Sequence, residues 1–143
     1  MNERGRMKLG KSEILYINAL EDLAGVSARD CVAKENEIIF LVNGTQMGLA
    51  IGKNGQTIAK VREKIGKNIE LFEYAENAEE FVRKAFYQVK FKDLSFSERE
   101  GRKVMILACE AEQRKKALQN LAKLRKIKEI LKRNYKIDDL IIR

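Results

Sequence analysis

One order of elements occurs twice in this chain of 143 residues, and any fold proposed for it has to accommodate that repetition. Ser12 reads as an N-cap, followed by Ile14, Ile17, Leu20 and Ala24 at helical spacing and by Gly25 as a stop, which predicts a helix over about 13–24. "ARDCVAK" and "EIIFLVN" are two strand-like runs that meet in a hairpin near Glu35-Asn36. "GTQMGLAIG" leads into a glycine loop, Ile58, Val61, Arg62 and Ile65 form a helical face ending near Gly66, and "NIELFEY" is a third strand. The second half repeats the order. A helix over about 76–88 carries Phe81, Ala85 and Phe86, and the strands "VKFKDLSFS" and "RKVMILAC" flank a turn at Glu98–Arg102. A helical segment over about 110–134 and the strand "IDDLIIR" close the chain.

A shift of 66 residues aligns the halves without a gap. Ile58 meets Leu124, Val61 meets Ile127, Glu63 meets Glu129, Ile65 meets Leu131 and Asn68 meets Asn134, so the apolar positions agree in phase. We read the chain as two small α+β domains, about residues 8–75 and 76–143, each a three-stranded sheet covered by helices on one face. The copies part at one place: Gly52-Lys53-Asn54-Gly55 falls on Leu118-Gln119-Asn120-Leu121. Leucine in place of glycine favours helix by about 1 kcal/mol at each position. Two alternatives stay open there, one merged helix from about Glu112 to Asn134 or two helices with a retained kink.

Composition narrows the chemistry. A hydrophobic fraction of 45% supports a core, and 35% charged residues make a polar surface. No run of 18 uncharged apolar residues occurs, and the polar start Met1–Lys8 lacks the apolar stretch of a signal peptide, so a cytoplasmic protein without membrane contact is expected. With no histidine and only Cys31 and Cys109, the usual zinc spacings and the Ser-His and Cys-His nucleophile pairs are all ruled out. Both cysteines lie in apolar runs and read as small buried residues. No enzyme, cofactor, metal site or small-molecule substrate is expected. The net charge of +8 is concentrated: Gln113 to Lys136 holds ten basic residues and one acid, Glu129. Such density favours polyanions through counterion release. A solvated helix surface that aids solubility is the plainer alternative.

The glycine loop decides between phosphate-binding classes. A P-loop would need its first glycine at Met47 and a serine or threonine at Asn54, and a dinucleotide fingerprint would need glycine at Ala50. Both fail. What remains is an apolar-G-x-x-G-x-x-apolar pattern, Ile51 to Ile58, between two short helices, which resembles the KH module whose G-x-x-G turn clamps the backbone of single-stranded nucleic acid. Without side chains at Gly52 and Gly55 the turn bends sharply and a phosphate can approach the main chain. The next helix offers its N-terminus to the same phosphate, and Lys53 adds a cation. Candidate RNA-binding residues are Gly52, Lys53, Asn54 and Gly55, flanked by Ile51 and Ile58, with Lys60 and Arg62 on the following helix. Leu49, Ile51, Ile58 and Val61 can floor or support a base-binding groove.

In the second copy Lys115, Lys116, Lys123, Arg125 and Lys126, followed by Lys128, Lys132 and Arg133, are the candidates for an electrostatic hold on RNA. The other reading of that copy is a structural support with solvated lysines. Phe40, Phe72, Phe81, Phe86 and Phe91 sit at apolar positions and read as core. Tyr74, Tyr87 and Tyr135 can stack on bases, but nothing in the sequence singles one out.

The helix-strand-strand-helix-helix-strand order matches the type II KH arrangement. "MGLAIGKNGQTIAKVREKIGKNIELFEYAENAEEFVRKAF" (residues 47–86) resembles the archaeal NusA-like transcription factors, built from two KH domains, and the tandem order fits that family across nearly the whole chain. The resemblance implies single-stranded RNA binding in transcription termination or antitermination, with RNA polymerase as a candidate partner. It transfers the RNA-binding role to Gly52, Lys53, Asn54 and Gly55 alone, since "ALQNL" stands where a second I-G-x-x-G is expected. Alternatives are a KH protein of ribosome assembly or RNA processing, and a protein-interaction scaffold that no longer binds RNA.

Overall fold

Glu13, and not Ser12, organises the start of the first helix. Helix α1 (Lys11–Ala24) begins after Gly10, whose backbone N–H donates to Glu13 Oε1 at 2.8 Å. An acid three residues into a helix both satisfies an orphan N–H and suits the positive end of the dipole, which leaves Ser12 inside the first turn. The helix ends at Gly25, at φ 70°, where the N–H reaches back to the Glu21 carbonyl at 2.8 Å. Ile17 and Leu20 face inward, but Ile14 is 48% exposed and does not belong to the core face the spacing predicts.

The computed structural model describes residues 9–143, which divide into two compact units between Tyr74 and Ala75. The polar segment Met1–Lys8 and the expected domain start at residue 8 lie outside the described residues. In the first unit, strand β1 (Asp30–Ala33) pairs antiparallel with β2 (Glu37–Asn43). Helices α2 (Gly44–Ile51) and α3 (Gln56–Ile65) form the crossover to β3 (Asn68–Tyr74), which runs parallel to β2, giving the order β1-β2-β3. A parallel return of this kind needs a long connection, and two short helices supply it. Ile38, Phe40 and Val42 alternate along β2 and pack with Leu20, Ile58 and Val61, all at most 6% exposed. Burying each such side chain contributes roughly 1.5–3 kcal/mol, which fixes α3 against the sheet and thereby positions the loop before it.

The second unit has the same order. Helix α4 (Ala78–Ala85) is capped by Asn77, whose Oδ1 accepts from the Glu80 N–H at 2.8 Å. It is shorter than expected, because the chain leaves the helix at Phe86 and turns. Strands β4 (Asp93–Arg99) and β5 (Arg102–Ala108) are antiparallel. Only Glu100 and Gly101 form their turn, both at positive φ, so pairing extends further than the expected Glu98–Arg102 loop allows. Helices α5 (Ala111–Gln119) and α6 (Leu121–Tyr135) lead to β6 (Asp139–Ile142), parallel to β5. Phe81, Val82, Met105, Leu107, Ile127 and Ile130 are fully buried.

Helices α5 and α6 do not merge. The break sits at Asn120, whose Oδ1 accepts from the Lys123 N–H at 3.0 Å and so caps α6. Leu118 and Leu121, 39% and 54% exposed, find no burial that would favour a straight helix. Tyr135 serves the fold: its hydroxyl accepts from the Ala75 N–H at 3.1 Å, donates to the Ala75 carbonyl at 2.8 Å, and its ring stacks on Phe81 at 5.2 Å. Four of the five phenylalanines expected in the core are buried, while Phe91 is half-buried and meets Phe86 edge to face at 5.9 Å. Cys31 is buried but Cys109, expected to match it, is only half-buried, with its thiol donating to the Arg143 carbonyl at 3.5 Å. Desolvation raises the Cys109 pKa against the lowering effect of Arg114, keeping the thiol protonated at neutral pH.

Candidate nucleic-acid interface

Gly52 ends α2 at φ 77° and ψ 170°, a region open to glycine and closed to residues with a Cβ. A Cβ there would also fall on the Thr57 side chain and stand 2.7 Å from the Thr57 backbone nitrogen. Lys53, Asn54 and Gly55 follow in one 3-10 turn, with Asn54 at φ 55° and Gly55 at φ 73°. Asparagine is among the few side chains that tolerate this left-handed conformation. Gly55 N–H closes the turn onto the Gly52 carbonyl at 3.1 Å. Lys53 and Asn54 are exposed at its tip, and no side chain caps the start of α3, to which the turn leads. Leu49 and Ile51, on α2 just before the turn, are 59% and 40% exposed. An accessible main-chain turn, a cation, an uncapped helix start and exposed apolar side chains thus occupy one short stretch.

The corresponding place in the second unit keeps the break between helices and loses the turn. Asn120 holds φ −114° and ψ 88°, so no left-handed residue is required, and leucine side chains flank it where the first copy has bare backbone. A phosphate approaching there meets Leu118 and Leu121. Lys115, Lys116 and Arg125 are exposed, and Lys123 and Lys126 are half-buried. Beside the break lies an open cavity of about 610 Å³ lined in part by Tyr87, Gln88, Lys116, Leu121 and Lys123.

A family model for the KH domain matches residues 16–138. The chain belongs to the KH-domain family. Its two three-stranded sheets with their helices fit that α+β fold. This KH chain is 30% identical to the protein in the crystal structure of APE1850, with a TM-score of 0.87 over 94% of this chain and all of that one. It is also similar to proteins named probable transcription termination protein NusA. One from Methanococcus vannielii is 32% identical over 89 residues, 62% of this chain and 51% of that protein. Another, from Halococcus morrhuae, is 34% identical over 93 residues, 65% of this chain and 67% of that protein. A third, from Thermoplasma acidophilum, is 22% identical over 142 residues, 99% of both chains. The match to the Methanococcus protein spans about half its length. The archaeal NusA-like resemblance read from residues 47–86 is therefore shown.

Of the candidates named from sequence, this NusA-like KH protein brings Ile51, Gly52, Lys53, Asn54 and Gly55 together around the turn. Ile58 is 6% exposed and packs in the core, so it supports the turn from beneath, as does fully buried Val61. Lys60 is exposed in the middle of α3. Arg62 lies near the far end of that helix, where its Nη2 donates to the Ile69 carbonyl at 3.4 Å, away from the glycines. Sequence reasoning missed the pairing of Tyr87 with Lys123, whose Nζ lies 5.4 Å from the ring centroid. The partners are 36 positions apart, and no short-range pattern connects them. Among the described residues no helix is long and apolar enough to cross a membrane, and no group of three or more metal-binding side chains occurs.

Proposed function

We propose that this protein is a non-catalytic, cytoplasmic single-stranded RNA-binding factor acting in transcription termination or antitermination, with the Gly52–Gly55 turn as its phosphate clamp. The observation that carries this reading is the turn itself: glycine-only backbone at Gly52, exposed Lys53 and Asn54, and an uncapped α3 in continuation. In KH modules a G-x-x-G turn holds the nucleic-acid backbone while an adjoining apolar surface receives bases. Exposed Leu49 and Ile51 fit that second role. The relatives' names supply the process, and RNA polymerase is the partner that process implies. Each unit is read as a type II KH domain, over about residues 8–75 and 76–143.

In the second domain, Lys115, Lys116, Lys123, Arg125 and Lys126 contact the RNA backbone without a clamp. The test is binding of a single-stranded RNA pool to wild type and to Lys53→Asp/Asn54→Asp. Both side chains are exposed, so circular dichroism should be unchanged while affinity falls at least tenfold. Unchanged, salt-dependent binding by the variant would move the contact to the second domain. No binding by either protein would replace the RNA reading with a protein-interaction scaffold.

A further inference from the structure

The loss of the second glycine turn leaves a surface with its own chemistry. Tyr87 follows the end of α4 and is 73% exposed, the most exposed of the large apolar and aromatic side chains on the described surface. An exposed tyrosine ring offers a flat apolar face on which another ring can stack. Lys123, near the start of α6, approaches the ring at 5.4 Å from its centroid, and Gln88 Nε2 donates to the Tyr87 hydroxyl at 3.3 Å. With these contacts the ring lines the 610 Å³ cavity and stays in solvent rather than in the core. Lys116 on α5 and half-exposed Leu121 share the lining, to which no aspartate or glutamate contributes.

We propose that Tyr87 is a base-stacking platform, and that Lys116 and Lys123 bind the phosphates next to the stacked nucleotide of a single RNA strand. The inference rests on the RNA-binding reading above and adds a base-recognition site in the domain without a clamp. Charge decides the occupant. Two lysines with no carboxylate favour a polyanion, and a flat aromatic beside them favours a polyanion that carries rings. Lys123 reaches the ring through a flexible four-carbon stem, so its ammonium can exchange the ring face for a phosphate oxygen when a base arrives. The Gln88 and Gln119 amides at the same cavity can donate to and accept from a base edge. Leu121 supplies apolar contact at the stack's margin. Stacking of this kind tolerates any base, so the site holds the strand without selecting its sequence.

The chain contains no tryptophan, which makes a direct readout possible. Full-length Tyr87→Trp, titrated with a single-stranded RNA oligonucleotide, should lose fluorescence as the indole stacks on a base. In parallel, Tyr87→Ala should bind that oligonucleotide about 5- to 100-fold more weakly, with Tyr87→Phe near wild type. The exposed position leaves the fold unaffected in all three, as circular dichroism would verify. If the oligonucleotide binds, but the tryptophan signal and the Tyr87→Ala affinity do not change, the platform is wrong and the glycine clamp stands. Loss of binding to RNA polymerase in Tyr87→Ala, with RNA affinity intact, would overturn the proposal in favour of a protein contact. If wild type binds no RNA, the platform and the function it rests on fall together.

Discussion

The side chain of Thr57 occupies the space that a Cβ on Gly52 would need, and Gly52 holds a backbone conformation that only glycine adopts readily. Two constraints therefore meet at one residue, whereas a Cβ on Gly55, at φ 73°, would meet nothing within 4 Å. Gly52→Ala should cost about 1–3 kcal/mol and distort the turn, so thermal stability and RNA affinity fall together. Gly55→Ala carries the strain of left-handed backbone alone, about 1–2 kcal/mol, and should retain more of both. Thermal unfolding and RNA titration of the two variants check the ranking.

The Asn120 cap keeps α5 and α6 apart. Asn120→Ala removes the acceptor for the Lys123 N–H, an orphan donor at the start of α6. A loss of about 0.5–2 kcal/mol is expected in denaturant unfolding, while Asn120→Asp, which keeps an acceptor at that position, should stay close to wild type.

Basic residues on α5 should show in the salt dependence of binding before they show in affinity at any one salt. Lys115→Gln/Lys116→Gln should flatten the plot of log K against log salt by about 0.7 for each lysine that contacts a phosphate. A salt titration that leaves the slope unchanged would assign these exposed lysines to solvation alone.

Asp139 gives the second domain a modest acid sensitivity. Burial acts to raise its carboxyl pKa, but hydrogen bonds from the Leu140 N–H and from Lys128, with the charges of Lys128 and Arg102, outweigh it and leave the pKa lowered. Lys128 Nζ stands 3.2 Å from Oδ1, with both side chains more than a third exposed. Since the folded value lies below the unfolded one of about 3.9, the contribution is complete above that pH and is lost as pH falls through the folded value. Solvent screening keeps it to at most about 1 kcal/mol. Asp139→Asn should lower stability slightly at pH 7, and the difference from wild type should shrink as the pH falls through the folded value.

Most of the element order was legible because it rests on local signals. Gly25 and Gly66 stop helices, the unbroken apolar run 38–42 marks a buried strand, and the glycines of the loop reach positive-φ conformations closed to most other residues. The Glu13 contact with Gly10 went unread because Ser12 offered a commoner cap. Ile14 illustrates the limit of periodicity: it has the spacing of a core residue but lies half in solvent, since the width of the buried stripe depends on what packs against it.

By itself the sequence determined a two-copy α+β chain, a tight glycine turn in the first copy and a basic segment in the second. These follow from backbone sterics, hydrophobic period and net charge, which each residue carries wherever it stands. Tertiary structure alone decided that Ile58 supports the turn from within, that Arg62 is turned away from it, and that Tyr135 ties Ala75 while Tyr87 stays in solvent beside Lys123. Tyrosines of identical chemistry were sorted into half-buried tie and surface ring by partners up to 60 positions distant, and pairings over such separations exist only once the chain has folded.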